Sequence, residues 1–247
     1  SEAKHDQIRA YYRTLLSAWG RQHWWPARSR FEMIVGAYLT QNTSWTNVEK
    51  ALANLRKARL LTLNGIRRTS LPKLEQLIRP SGYFRQKARR LKTFVSFLDE
   101  HYAGSLARMF TRPTAELRDE LLSLSGVGPE TADSILLYAG NQPVFVVDAY
   151  TRRILERHQL VANQAGYEEI RQLFESALSR TSPPTQGLDR AIASDAAPLA
   201  AMGAAIESPP VAHEHGRAQR TGSGIQRNAR PDRRSRQDLL SKVTTAV

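Results

Sequence analysis

The chain contains no cysteine. That absence excludes disulfides, thiolate zinc sites, iron–sulfur clusters and a cysteine nucleophile. There is also no run of about 18 apolar residues of the kind that crosses a bilayer. The first residues, SEAKHDQIRAYYRTLL, have no apolar core of signal-peptide type. No membrane partner is therefore expected, and the cytoplasm is the expected compartment. Strand-forming runs are scarce too. Only PVFVV, residues 143–147, looks strand-like, and one isolated run of that length has nothing to pair with.

What is present is a helical pattern and an excess of positive charge. Among 247 residues, 41% are hydrophobic, an ordinary share for a globular protein with room for a buried core. Phe31, Ile34, Val35, Tyr38 and Leu39 follow the spacing of one helical face. So do Val48, Leu52 and Leu55; Leu71, Leu74, Leu77 and Ile78; and Ala88, Leu91, Val95 and Leu98, with Phe94 and Phe97 widening the last. The expected fold class is all-α. Near Ser182 the composition shifts to Ala, Pro, Gly, Ser and Arg with few large apolar residues, too few to offset the entropy of ordering. Residues 1–181 are thus expected to form the folded domain and residues 182–247 a largely disordered tail. Lys and Arg number 36 against 23 Asp and Glu, a net charge of +13. Residues 182–247 carry nine Lys and Arg against six Asp and Glu, so about +10 belongs to the first 181. A folded part that is itself basic suits a polyanion such as nucleic acid.

The most informative stretch is ELRDELLSLSGVGPETADSILLYA, within a hairpin spanning about 115–140. It reads as helix, tight turn, helix. Gly126 and Gly128 permit positive φ and close approach of another backbone, and Pro129 suits the first position of the second helix. The N–H groups of Gly126, Val127, Gly128 and Thr131 at that helix start can face a phosphate. Such a hairpin grips a DNA backbone without reading its sequence. Twenty residues after Gly128 comes Asp148, where a helix N-cap is the plain structural role.

LSGVGPETADSILLYA followed by VVDAYTRRIL resembles the helix-hairpin-helix and Gly/Pro…Asp signature of the endonuclease III-like DNA glycosylases. The resemblance covers about residues 8–180 and includes FEMIVGAYLTQNTSWTNVEKAL. It implies a two-lobed all-α fold with double-stranded DNA, carrying a damaged base, in the cleft between the lobes. It further implies that Asp148 is the catalytic aspartate, stabilising positive charge on the sugar or orienting water once the nucleotide is flipped out. Bifunctional members have a lysine shortly after the hairpin; Glu130 stands in the matching position and cannot form an imine. The resemblance is therefore to monofunctional members, which leave an abasic site. No cofactor and no side-chain metal site are expected, although the hairpin backbone at 124–128 could hold a cation. A monomer is expected.

Trp24, Trp25 and Trp45 flank one amphipathic helix. Aromatic faces stack on a flipped base, and better on a cationic one. The WWP…LTQNTSWTNVEKAL pattern resembles the 3-methyladenine glycosylase branch that lacks an iron–sulfur cluster, implying alkylated purines as substrates. In the same family Gln41 matches the polar residue that enters the gap left by the flipped base. SGYFRQKARRLK matches the wedge segment, with Tyr83 or Phe84 as the wedge and Arg85, Lys87, Arg89 and Arg90 near phosphates. Tyr138 could border the pocket or pack between helices, and the second is expected. Family members commonly end with a further helix, for which no pattern appears after ESALSR. On that reading the C-terminal lobe is incomplete, with apolar surface left open on Tyr11, Leu15, Ile170 and Phe174. Two other readings stand beside this one: the same fold acting on a different lesion, and a non-catalytic DNA-binding module.

Overall fold

A computed structural model describes residues 2–20, 25–162 and 164–179. Among these the fold is all-α, as the periodicity predicts, with eleven helices and no strand. They are α1 (Glu2–Trp19), α2 (Arg30–Thr40), α3 (Trp45–Lys57), α4 (Leu63–Arg68), α5 (Leu71–Ile78), α6 (Phe84–Tyr102), α7 (Leu106–Met109), α8 (Thr114–Ser123), α9 (Pro129–Ser134), α10 (Ala149–Arg157) and α11 (Tyr167–Ser179). The expected tail at 182–247, and with it the question of a further helix, lies outside the described residues, as does Trp24.

Two apolar cores divide these helices into lobes. The larger gathers α2 to α9. Ile34, Val35 and Leu39 of α2, Val48 and Leu55 of α3, and Leu91, Phe94 and Leu98 of α6 are all buried in it. Helix α2 is apolar nearly all round, which is what a central helix requires. Ser29 caps its start by accepting the Glu32 N–H at 3.1 Å. The smaller core joins the two ends of the described chain, with Ile8 and Tyr11 of α1 packing on Ile170, Phe174 and Ala177 of α11. Phe145 stacks on Phe174 with ring centroids 4.0 Å apart. This corrects the expectation of open apolar surface: Tyr11, Ile170 and Phe174 are buried, and Leu15 packs against the same cluster. Leu155, Leu160 and Val161 share that core with them.

The PVFVV run explains how the lobes join. It is extended, and its alternate residues face opposite ways. Val144 and Val146 enter the larger core, while Phe145 and Val147 enter the smaller. A segment buried on both faces reads as a continuous apolar run whether or not a sheet surrounds it. Here it is the seam between two helical lobes, and Asp148 follows at its end.

Candidate active site

Asp148 is the N-cap of α10. Its backbone is extended, and its Oδ1 accepts the Thr151 N–H at 2.7 Å. That bond orients the carboxylate at the wall of a cavity of about 890 Å³. The same cavity is lined by the hairpin residues Gly126 to Thr131, together with Gln41 at the end of α2. Trp25, Tyr138, Tyr150 and Tyr167 supply aromatic wall. The structural and chemical readings of Asp148 therefore coincide in one side chain, and Glu130 lines the same space.

The hairpin is built as its glycines suggest, but the two have different work. Gly126 has φ +81°, and a Cβ there would lie 1.9 Å from Arg90 Nε. Gly128 is extended (φ −93°), and a Cβ there would meet nothing within 4 Å. Gly126 is thus required by the fold, whereas Gly128 keeps a face open to another backbone. Val127 and Thr131 are buried, so their side chains hold the hairpin from inside and only their backbone can face a phosphate. The carbonyls of Leu124 and Gly126 each accept one protein hydrogen bond, from Val127 N–H and from Gln41. Each keeps a second lone pair that could serve a cation.

Gln41 is bound on every side. Its Nε2 donates to Gly126 O (3.0 Å) and Thr131 Oγ1 (2.9 Å), and its Oε1 accepts from Arg90 Nη1 (2.8 Å). Entering a duplex would require it to exchange all three bonds. Arg90 is accordingly a brace for the hairpin. Lys87, expected near phosphates, is 1% exposed and donates to Leu39 O and Ser81 O at 2.9 and 2.6 Å. That expectation is corrected: helix periodicity turns residue 87 inward with Ala88 and Leu91, leaving Arg85 and Arg89 on the exposed side. Of the two wedge candidates, Tyr83 projects. It is the exposed large hydrophobic residue among those described, at 66%, with φ +43°. Phe84 packs partly on the core beneath the guanidiniums of Arg79 and Arg85.

The aromatic wall differs from expectation in one member. Trp25 lines the cavity, lying on Gly36, whose missing side chain leaves ring atoms 3.3 Å from the Cβ position. Trp45 packs edge-on behind it (5.7 Å, 83°) and does not line the space. The expected inter-helix role of Tyr138 is incomplete, since it packs on Trp25 (4.9 Å) and lines the cavity as well. After α9 the helix widens into a π turn over Ile135–Ala139, with Gly140 N–H donating to Ile135 O, and Tyr138 sits within it. The spacing of Thr131, Ser134 and Tyr138 on one helical face is a signal that would have found it. No local pattern marks Tyr150 or Tyr167.

Residues 35–180 match the model of the HhH-GPD superfamily of base excision DNA repair proteins. Over 180 residues the chain is 47% identical to a Methanocaldococcus jannaschii protein named as a DNA repair glycosylase, covering 72% of this chain and 82% of that one. It is 32% identical over 127 residues to endonuclease III of Thermotoga maritima, covering 51% and 55%. Among solved structures, the H. pylori 3-methyladenine DNA glycosylase bound to 1,N6-ethenoadenine is similar with a TM-score of 0.64 and 31% identity. That match covers 79% of this chain and 91% of that one. A trapped endonuclease III–DNA covalent intermediate shares the fold at 24% identity, with a TM-score of 0.62.

Proposed function

Because the chain belongs to the HhH-GPD superfamily of base excision DNA repair proteins and is a DNA glycosylase, we propose that it removes alkylated purines from duplex DNA by hydrolysis. The observation that carries this reading is the shared cavity, lined together by Asp148, the hairpin and the packed rings of Trp25 and Tyr138. The hairpin and the exposed arginines of α6 hold the backbone, and Tyr83 props the duplex where the nucleotide has left the stack. A flipped alkylated purine that carries positive charge is attracted to the aromatic faces. As the N-glycosidic bond breaks, positive charge grows on the sugar, and the Asp148 carboxylate stabilises it or orients the attacking water. Glu130 borders the same space where a lyase would need an amine, which supports water as the nucleophile. The likeness to a 3-methyladenine glycosylase supports the same substrate class.

The test is release of free bases from duplex DNA methylated with dimethyl sulfate, by the wild type and by Asp148→Asn. Asparagine caps a helix about as well as aspartate, so the variant is expected to stay folded. Wild-type release of 3-methyladenine or 7-methylguanine is expected, with a loss of at least roughly 100-fold in the variant. Borohydride added to the same reactions should trap no covalent complex. Intact duplex binding with no release, or equal release by both proteins, would overturn the proposal.

A further inference from the structure

An extended segment buried on both faces must still satisfy its backbone N–H groups. In the seam, two alternate ones go to side chains of α11: Phe145 N–H donates to Glu175 Oε1 at 3.0 Å and Val147 N–H to Tyr167 Oη at 3.3 Å. Helix α11 thus does with two side chains what a second strand would have done. The Tyr167 phenol also feels the charge of Asp133 of α9, a carboxylate with no exposure at all. Arg118 of α8 holds Asp133 through two bonds, at 2.7 and 3.2 Å, and reaches Glu168 of α11 as well. Arg171 then links Glu168 (2.9 Å) to Glu175 (2.7 Å), which returns to Phe145. These links tie both arms of the hairpin to the segment that ends in Asp148.

We propose that Tyr167 is a positioning residue for Asp148, fixing the residue just before the carboxylate to α11, which Arg118 ties to the hairpin, so that a duplex gripped by the hairpin meets Asp148 in one register. The proposal rests on the reading of Asp148 as the catalytic carboxylate. Burial, and then the charge of Asp133, push the Tyr167 phenol well above its ordinary value. It therefore keeps its proton while accepting from Val147 N–H. The ring lines the cavity, but its hydroxyl is engaged with protein.

Tyr167→Phe keeps the aromatic ring and removes the link, leaving Val147 N–H without its partner. Two measurements on the full chain decide the matter. One is single-turnover release from dimethyl sulfate-treated duplex beside the affinity for that duplex; the other is amide hydrogen exchange across residues 143–149. The expected result is a release rate lower by roughly 10- to 100-fold, affinity within about 2-fold, and faster exchange at Val147 and Asp148. A purely structural role would lower the melting temperature while leaving the single-turnover rate in the cold unchanged, and would overturn the proposal. So would unchanged exchange at Val147. If the wild type releases no methylated base, the substrate reading fails separately. Exchange then decides alone: acceleration at Val147 and Asp148 upholds the tether for whatever base is removed, and no acceleration sinks it.

Discussion

Lys87 shows how a cationic side chain can brace a surface loop from the inside. Its ammonium lies where the carbonyl end of α2 meets the turn that leads to Tyr83. A positive charge is favourable at a helix C-terminus, so one side chain joins the end of α2, from which Gln41 extends, to the loop that presents Tyr83. Burial pulls its pKa down to about 8, with the nearby Arg90 guanidinium contributing in the same direction. The unfolded chain therefore binds a proton between about pH 8 and 10.5 that the folded chain does not. The stability Lys87 contributes is fully present above the unfolded value and is lost as pH falls through about 8. Urea unfolding of wild type and Lys87→Met should accordingly show the wild type gaining on the variant from pH 8 to 10, by on the order of 1–2 kcal/mol. A constant difference across that range would refute the assignment.

At the scale of the element, the hairpin separates two reasons for a glycine. Alanine at 126 must take a left-handed backbone and push the Arg90 guanidinium aside, which also withdraws Arg90 from Gln41. Gly126→Ala should therefore cost about 2 kcal/mol and weaken duplex binding with it. Alanine at 128 meets no atom and needs no unusual φ. Gly128→Ala should cost under about 1 kcal/mol, yet still weaken duplex binding, because its methyl occupies the side from which a DNA backbone would approach. Urea denaturation and fluorescence anisotropy with a labelled duplex measure the two effects. If Gly128→Ala binds duplex as the wild type does, the backbone does not approach there.

At the scale of the whole molecule, charge and lobe arrangement act together. A net charge of +13, with Arg85 and Arg89 exposed beside Tyr83, places much of the affinity in phosphate contacts. Binding of undamaged duplex should weaken with a log–log salt slope of about −4 or steeper, a loss of roughly 100-fold or more between about 50 and 200 mM. A slope shallower than about −2 would show that few phosphates are neutralised. The seam matters equally, because one extended segment belongs to both cores. Movement of the lobes about it is therefore opposed by burial on either side, and the carboxylate at its end is held where the lobes meet.

The helices, the hairpin and the cap at Asp148 were legible in the sequence, because each depends on near neighbours in the chain. Apolar periodicity, a glycine that must take positive φ, a proline at a first helical turn and an aspartate before a helix all act within a few residues. The seating of Trp25 on Gly36 and the division between Trp25 as wall and Trp45 as support both depend on how separate segments pack. Partners distant in sequence were decided only by the tertiary structure. Lys87 has the composition of a phosphate contact and the register of a core residue, and burial settled which applied. Arg90 is paired with Gln41 across 49 positions, and Arg118 with Glu168 across 50. The strand-like run at 143–147 was correctly read as lacking a sheet, but its role as a seam required two cores to exist around it. Local propensity acts over one or two turns, whereas a hydrogen bond or buried pair depends on where the chain returns.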